Sequence, residues 1–282
     1  MAIITLTTDF GRKDHSVSAV KGAICKMLPE TTIIDISHEI SPFNITETAY
    51  ILKNAYKSFP QKSIHIVGVD SEFTPENKHI ALLLNGQFFI CPDNGIMSLI
   101  ASEIKPTKIV EINIHDRIDT SFSVLDVFVN VACHLARGGK LEVIGKPLQQ
   151  IREIVEMQPK IISETKIIGS VIYIDNYGNV ITNINRELFN KVGKGRAFLI
   201  SAGRYTFKEI VNKYSDIVNF ELPTLQRKSA GTKLALFNSG DYLEIAIYKS
   251  NLQTVGGASS LLGMDYRSSI SIEFEKTSTP SK

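Results

Sequence analysis

The chain has 282 residues, of which 43% are hydrophobic and 21% are charged, and it contains no tryptophan. This length suits one large domain or two ordinary domains, each with its own apolar core. The 31 basic and 29 acidic residues give a formal net charge of +2, so we expect neither a nucleic-acid partner nor a membrane partner.

The cysteines and the first residues point to a reduced, non-exported protein. The cysteines are few, odd in number and widely spaced, without a zinc motif or a disulfide framework: Cys25, Cys91 and Cys133. No basic segment followed by a long apolar core opens the chain, and no run reaches the roughly 18 apolar residues of a membrane span. We therefore expect a cytoplasmic protein.

The first half of the chain alternates strands with helices. Apolar runs and helical spacing predict strands at 3–6, 31–37, 63–70 and 108–113, a hairpin at 80–92 around Asn85-Gly86, and helices at 17–27, 45–56, 96–104 and 124–137. This alternation predicts an α/β domain over residues 1–155, with a mostly parallel sheet sandwiched by helices. Ligands of such sheets collect at the carboxyl ends of strands, where Asp9 and Asp70 lie.

The second half is rich in short strands. We interpret residues 156–166 as a linker and predict strands at 169–174, 180–184, 196–201, 233–237, 242–248 and 268–274. Because helical spacing is nearly absent, the prediction is a smaller antiparallel β-barrel or sandwich domain over residues 166–278. The final segment, TSTPSK, is expected to be disordered.

Four polar loops adjoin these strands: 9–14 (DFGRKD), 70–79 (DSEFTPENKH), 175–179 (DNYGN) and 238–240 (NSG). Each alone has a structural explanation. Asp14 or Ser16 could cap a helix, and the last two loops are typical of turns between strands. The chain has no phosphate-binding, dinucleotide-binding or nucleophile-elbow motif and no metal-ligand spacing, so no metal site is expected.

The histidines divide into two groups by their positions in the sequence. Four lie in or beside predicted elements and are interpreted as structural: His38, His65, His115 and His134. His15 and His79 lie close to the acidic loops and remain minor candidates for a functional role.

Taken together, several motifs in order resemble the S-adenosylmethionine hydroxide adenosyltransferases, relatives of the fluorinase and chlorinase. The resemblance covers nearly the whole chain and is carried by TTDFGRKDHSVSAVKG, SHEISPFNITETAY, CPDNG, DVFVNVACHLARGG, YIDNYGNVITNI and LFNSGDYLEIAI. It implies a homotrimer whose active sites lie between subunits, with S-adenosylmethionine as substrate and no further cofactor.

The resemblance also implies binding roles for residues at matching positions. Asp9 would hold the ribose hydroxyls, and Asp14 with Ser16 the ammonium of the methionine part, since a carboxylate accepts hydrogen bonds from both groups. The remaining implied contacts are Phe43 beside the ribose and sulfonium, Asp175 at the methionine end, Tyr177 and Asn179 on adenine, Ser239 on the methionine carboxylate, and the backbone around Ile247 on adenine.

The water-handling Asp–Arg–His set of the hydrolytic relatives is only partly kept. Asp70 matches the acid, but Asn77 stands in the arginine's place with Lys78 beside it, and Ser123 follows Phe122 where a histidine is usual. A slip of the local alignment by a residue or two would let Lys78 replace the arginine as a cation, without its planar fork. Asp70 also argues against halide chemistry, because a carboxylate would repel the anion.

Two functions therefore remain open at this stage. One is slow hydrolysis of S-adenosylmethionine to adenosine and L-methionine, by attack of water on the ribose 5′ carbon. The alternative is a non-catalytic protein that binds adenosine or S-adenosylmethionine and has lost the water-activating set.

Overall fold

A computed structural model describes residues 2–101, 104–114, 118, 120–154, 158–227 and 230–276. The chain folds into two compact units, Met1–Glu156 and Met157–Lys282. The predicted domain limits of 1–155 and 166–278 stay a prediction. His115 and the terminal TSTPSK, for which a structural role and disorder were predicted, lie outside the described residues.

The first unit is built on a seven-stranded sheet. Its strands are β1 (Ile3–Thr8), β2 (Thr32–Ser37), β3 (Ile64–Gly68), β4 (His79–Leu84), β5 (Gln87–Pro92), β6 (Lys108–Ile112) and β7 (Gly145–Pro147). They are ordered β2-β1-β3-β5-β4-β6-β7, and only β4 and β7 run opposite to the other five. The mostly parallel sheet predicted from the sequence is confirmed.

Helices cover both faces of this sheet. They are α1 (Ser16–Met27), α2 (Ile45–Tyr56), α3 (Ile96–Ile100), a π-helical turn (Val124–Phe128), α4 (Val129–Ala136) and a 3-10 turn (Leu141–Val143). Helices α1 and α4 enclose one core against Ile64 and Ile66 of β3, and α2 and α3 enclose the other against Val67. The alternation of neighbouring β3 side chains between the two cores follows from the two-residue period of a strand.

Local signals explain several of these boundaries. The side chain of Asn44 accepts from the backbone N–H of Glu47, which caps α2. Asn85 and Gly86 both have positive φ, at 49° and 72°, as the predicted tight hairpin between β4 and β5 requires. The helix predicted at 124–137 differs in detail, because it opens as a π-helical turn before it becomes α-helical at Val129.

The second unit is an eight-stranded antiparallel sheet curled around one core. Its strands are β8 (Lys160–Ser163), β9 (Lys166–Ile174), β10 (Val180–Asn185), β11 (Phe198–Ala202), β12 (Tyr205–Phe207), β13 (Lys233–Phe237), β14 (Tyr242–Ile247) and β15 (Ser269–Phe274). The order is β12-β11-β15-β9-β10-β14-β13, with β8 paired to β9. Since β9, β10, β11, β13, β14 and β15 all bury side chains in the same core, the predicted barrel-like class is confirmed.

Two expectations for this half need correction. Helices are present after all, as α5 (Arg186–Gly193) and α6 (Ala258–Leu262), with 3-10 turns at Tyr214–Ile217 and Thr224–Gln226. Asn185 caps α5 by accepting from Leu188 N–H at 2.8 Å, directly after β10, so no loop marks the change of structure. Part of the expected linker, Lys160–Ser163, is the strand β8.

Candidate functional site

The loop after β1 is hydrogen-bonded to the loop after its neighbour β2. The backbone N–H of Phe43 donates to Asp9 Oδ2 at 3.0 Å, and the backbone N–H of Gly11 donates to the His38 carbonyl at 2.8 Å. Both strands end at the same edge of the sheet because they run parallel. The Asp9 carboxylate is thereby fixed at this edge through one of its two oxygens.

A chain of polar side chains lies next to Asp9. The ring of His38 is buried, and its Nδ1 is 2.7 Å from the hydroxyl of Thr8, the residue before Asp9. On its other side, His38 Nε2 lies 3.1 Å from Asp35 Oδ1, an ion-pair distance without hydrogen-bond alignment, and Lys21 donates to Asp35 Oδ2 at 2.6 Å. Burial alone would raise the pKa of Asp35, but Lys21 and His38 outweigh it and the pKa is lowered.

Asp14 lies at the start of α1. Its carboxylate accepts the backbone N–H of Ser16 at 3.0 Å, and the hydrogen bonds from the backbone and hydroxyl of Ser16 lower the pKa of this exposed acid. This is a local turn contact and not a helix cap, because the N-cap residue of α1 is His15 and no side chain caps this helix. The carboxylate remains exposed, so it can also meet a ligand ammonium.

Phe43 has two unusual properties for a large apolar residue. Its side chain is 71% exposed, and its φ of 61° lies in the left-handed region that non-glycine residues rarely adopt. Strained backbone of this kind is often found where a side chain has to face a ligand. The position beside Asp9, through the hydrogen bond of its own backbone, is consistent with the implied place near a ribose.

Asp70 follows the carboxyl end of β3, the strand next to β1. Thr8 and Gly68 are paired across the two strands, so Asp9 and Asp70 leave the sheet at neighbouring points. Asp70 has a φ of 50°, a second left-handed residue at this edge. The two acids predicted from the sequence are therefore brought together at one edge of the sheet.

The side chains of Asn77 and Lys78 both have partners within the protein. The amide of Asn77 donates to the carbonyls of Asp70 and Glu72 at 2.8 and 2.9 Å. Lys78 Nζ lies 3.8 Å from Glu111 on β6 and 5.4 Å from the centre of the Phe73 ring. In this arrangement Lys78 has its own carboxylate partner, and Asn77 organises the loop.

Ser123 reaches the same edge through the π-helical turn. It is buried, and the next residue, Val124, touches the end of β3 so closely that a Cβ on Gly68 would lie 2.8 Å from Val124 Cγ2. The Phe122 ring packs edge-on against Phe10 at 5.4 Å between centroids. Irregular π-helical turns are frequent at functional sites, and this one holds Ser123 beside the strand that leads to Asp70.

In the second unit, the loop between β9 and β10 is organised by Asp175. Its Oδ1 accepts the backbone N–H groups of Tyr177 and Asn179 at 2.9 and 2.8 Å, and its Oδ2 accepts from Asn179 Nδ2 at 3.0 Å. Gly178 has a φ of 75° and packs against Gly257 at the start of α6. The carboxylate of Asp175 is thus directed to its own turn, in agreement with the turn interpretation.

The same loop presents one aromatic ring and one acceptor. Tyr177 is 62% exposed, whereas Asn179 is 3% exposed. Within the described residues, no donor reaches the buried Oδ1 of Asn179, while its Nδ2 is held by Asp175. A buried amide oxygen without a donor is costly, and a ligand N–H would satisfy it.

Ser239 and Ile247 lie at opposite ends of β14. Ser239 is exposed in the turn before this strand, and Ile247 is its last residue. Val180, next to Asn179, pairs with Ile245, so Tyr177 and Asn179 are at the Ile247 end. Six strand residues correspond to roughly 17–20 Å, so Ser239 and Ile247 lie at well-separated points of this unit.

Sequence reasoning missed two side chains at this site, His38 and Asn94. His38 was interpreted as structural, although its ring contacts the hydroxyl next to Asp9. The available signal was Asp35, an acid inside an otherwise apolar strand and three residues before the histidine. Asn94, which donates to the Val69 carbonyl, gave no comparable signal because its partner is 25 residues away. His79, a minor candidate from its position beside the acidic loop, donates to the Ser71 carbonyl.

Membrane-spanning helices and metal clusters are both absent from the described part of the chain. No helix there is long and apolar enough to cross a membrane. No cluster of three or more His, Cys, Asp or Glu side chains among those residues could hold a metal ion.

Sequence and structure comparisons identify relatives along the whole length. The (R)-S-adenosyl-L-methionine hydrolase of Methanocaldococcus jannaschii is 32% identical, over 96% of this chain and 95% of that protein. A fluorinase of Nocardia brasiliensis is 24% identical, over 86% and 89%. A crystal structure of an uncharacterized conserved protein from Thermotoga maritima superposes with a TM-score of 0.80 at 30% identity, covering 96% of this chain and 99% of that one.

Family profiles agree with these relatives. The profile of the SAM hydroxide adenosyltransferase N-terminal domain matches residues 4–145, and that of the C-terminal domain matches residues 169–271. The two profiles together account for most of both structural units. The chain therefore belongs to the SAM hydroxide adenosyltransferase family.

Proposed function

We propose that this protein is an enzyme that hydrolyses S-adenosylmethionine to adenosine and L-methionine. The observation that carries the proposal is the pair of acids at neighbouring strand ends, with Asp9 directly after Thr8 of β1 and Asp70 two residues after Gly68 of β3, where Thr8 and Gly68 are paired. One acid can bind the ribose while the other handles water. The relatives named as (R)-S-adenosyl-L-methionine hydrolases support the same reaction.

In the proposed reaction, a water oxygen attacks the ribose 5′ carbon. The new C–O bond forms as the C–S bond breaks, the sulfur of methionine takes the electron pair, and the water proton passes to Asp70 or to solvent. Because a sulfonium is a good leaving group, positioning the water supplies much of the rate enhancement. With Asn77 and Ser123 in place of a cation and a base, we expect slow turnover.

The proposed substrate contacts come from the first unit of one subunit and from the second unit of a neighbouring subunit. In the first unit, Asp9 holds the ribose diol, Asp14 and Ser16 receive the ammonium, and Phe43 lies along the ribose. In the second unit, Tyr177 stacks on adenine, Asn179 Oδ1 accepts from the adenine amino group, Ser239 binds the methionine carboxylate, and backbone near Ile247 completes the adenine contacts. Asp175 acts on the ligand through Asn179, whose amide it fixes.

We also propose a homotrimer with sites between subunits. The two large aromatic side chains of the candidate site, Phe43 and Tyr177, are both largely exposed in a single chain. A neighbouring copy would cover them together with the ligand. Light scattering at micromolar concentration should give three times the mass of one chain, and a monomer that still binds and hydrolyses the substrate would contradict the assembly.

The deciding experiment measures products in isotopically labelled water. Purified protein is incubated with S-adenosylmethionine in H2¹⁸O, and adenosine and methionine are separated by chromatography and analysed by mass spectrometry. We expect ¹⁸O in the 5′-hydroxyl of adenosine and none in methionine. Label in an amino-acid product would show attack at another carbon and would contradict the proposed reaction.

Asp70→Asn and Glu72→Gln form a matched pair for the acid. Both substitutions remove one carboxylate from the same loop, but only Asp70 is assigned to water. We expect a loss of about 100-fold or more in kcat for Asp70→Asn, the usual size for a general base, and little change for Glu72→Gln. Wild-type protein that binds S-adenosylmethionine calorimetrically but forms no product would instead be a binding protein.

A further inference from the structure

Four consecutive carbonyl oxygens around Asp70 are each held by a side-chain donor. Loops usually satisfy such groups with water or with scattered backbone contacts, so an unbroken run of side-chain donors is unusual. The contacts are Asn94 Nδ2 to the Val69 carbonyl at 3.1 Å, Asn77 Nδ2 to those of Asp70 at 2.8 Å and Glu72 at 2.9 Å, and His79 Nε2 to that of Ser71 at 3.0 Å.

Two of the three donor side chains, His79 and Asn94, are fixed in the core. The ring of His79 is fully buried and lies between Phe128 and Phe73, at 4.7 and 5.2 Å between centroids. Asn94 is also buried, and its Oδ1 accepts the backbone N–H of Ile96 at the start of α3. A side chain whose rotamer is locked by packing can hold a loop to a fixed geometry.

Asn77 uses one amide group for two contacts on this loop. Its own backbone is fixed in turn, because its N–H donates to the hydroxyl of Thr74 at 3.0 Å and pairs with Thr74 in an isolated bridge. With two carbonyls on one NH2 group, the amide plane cannot rotate without losing both contacts. The amide therefore bridges the backbone on either side of Ser71.

This bridge acts on a strained residue. Asp70 has a φ of 50°, where an L-residue with a Cβ is disfavoured unless its surroundings enforce the conformation. Releasing the carbonyl of Asp70 would let the backbone relax toward negative φ. Its carboxylate would then point in a different direction, since the side-chain direction follows the backbone.

We propose that Asn77, His79 and Asn94 are positioning residues that hold the Asp70 carboxylate toward the attacking water. The proposal rests on the proposed function, in which Asp70 handles that water. Asn77 accordingly contributes to turnover through Asp70 and not by contact with substrate. Asn77, which stands in the arginine's place, thus holds the loop that carries the acid.

A double-mutant cycle tests the coupling. Asn77→Ala should lower kcat about 10- to 100-fold with KM within about two-fold of wild type, whereas in the Asp70→Asn background the same change should alter kcat by less than about two-fold. Asn54→Ala is the matched control, because it also removes an amide that donates to a carbonyl, that of Tyr50 at 2.8 Å, on the exposed side of α2. Equal losses in both backgrounds would overturn the proposal.

A second measurement does not depend on turnover. Amide hydrogen exchange over residues 70–77 should become about ten-fold faster in Asn77→Ala and in Asn77→Asp, which keeps the size but replaces two donors by an acceptor, and should be unchanged in Asn54→Ala. Unchanged exchange in both Asn77 variants would overturn the proposal. If wild type forms no adenosine but the exchange rates rise as expected, the proposed hydrolysis fails and the support of Asp70 by Asn77 stands.

Discussion

His38 Nδ1 lies 2.7 Å from Thr8 Oγ1, so a buried imidazole is bonded to the residue that precedes Asp9. The same ring faces Asp35, which Lys21 holds at 2.6 Å. The partly exposed Lys21 is thereby linked through Asp35 and His38 to Thr8, the last residue of β1. Asp9, the acid proposed to bind ribose, directly follows Thr8. This row of side-chain contacts can therefore set the position of Asp9.

Replacing His38 should affect both stability and binding. His38→Ala leaves the Thr8 hydroxyl and the Asp35 carboxylate without a shared partner, and we expect a loss of about 2–3 kcal/mol in the free energy of unfolding. We also expect adenosine affinity to fall by about ten-fold in the folded fraction, measured by calorimetry. His134→Ala is the control, since that ring contacts the Lys140 carbonyl in a more exposed place. Unchanged affinity would restrict His38 to a structural role.

Asn179 is predicted to matter more for the ligand than for the fold. Its Oδ1 is buried, and a donor from adenine would satisfy it, so Asn179→Ala should weaken adenosine binding about 10- to 100-fold. The matched control is Asn219→Ala, which removes an exposed amide whose oxygen accepts the Glu221 N–H at 3.0 Å. Calorimetric titration with adenosine compares the two variants. Equal affinities would remove Asn179 from the adenine site.

Phe43 should show opposite effects on stability and binding. Phe43→Gly relieves a left-handed residue and removes an exposed side chain, so the free energy of unfolding should stay level or rise by up to about 1 kcal/mol. Affinity for S-adenosylmethionine should fall about ten-fold. Lys62→Gly relieves the same strain, at a φ of 68° in an exposed turn, and should leave affinity unchanged. Matching affinities in the two variants would contradict the role of Phe43.

Much of the fold could be predicted because its signals are local. The apolar runs of β1 and β3, the helical stripe of α2 and the Asn85-Gly86 turn each lie within a few residues. The π-helical turn could not be predicted, since its apolar stripe is also that of an ordinary helix. Helix α5 was missed because it follows β10 directly and has only about two turns.

The two acids of the candidate site could be predicted from the sequence, but the side chains that hold their loops in place could not. Asp9 and Asp70 follow apolar strands, and parallel strands place such ends side by side. The side chains that contact the residues next to these acids come from distant segments, so no local sequence pattern predicts them. His38 reaches Thr8 over 30 residues, and Asn94 reaches the Val69 carbonyl over 25.

A second buried histidine, His65, predicts how stability depends on pH. Its Nδ1 lies 2.7 Å from the Thr5 hydroxyl and its Nε2 lies 2.6 Å from Gln87 Oε1, while the ring stacks on Phe89 at 4.6 Å. A neutral ring fits both contacts if Nε2 carries the proton and Nδ1 accepts. Burial disfavours the charged form and lowers the pKa of His65 to about 4 from the ordinary 6.5.

The sign of the effect follows from this lowered pKa. Above pH 6.5 the ring is neutral in both folded and unfolded chains, so its contribution to stability is constant. Between pH 6.5 and about 4 the unfolded chain takes up a proton that the folded chain refuses, and roughly 3 kcal/mol of the free energy of unfolding should be lost. Urea unfolding at a series of pH values measures this loss. In His65→Gln the difference from wild type should shrink as the pH falls through this range, and a constant difference would show that His65 does not titrate there.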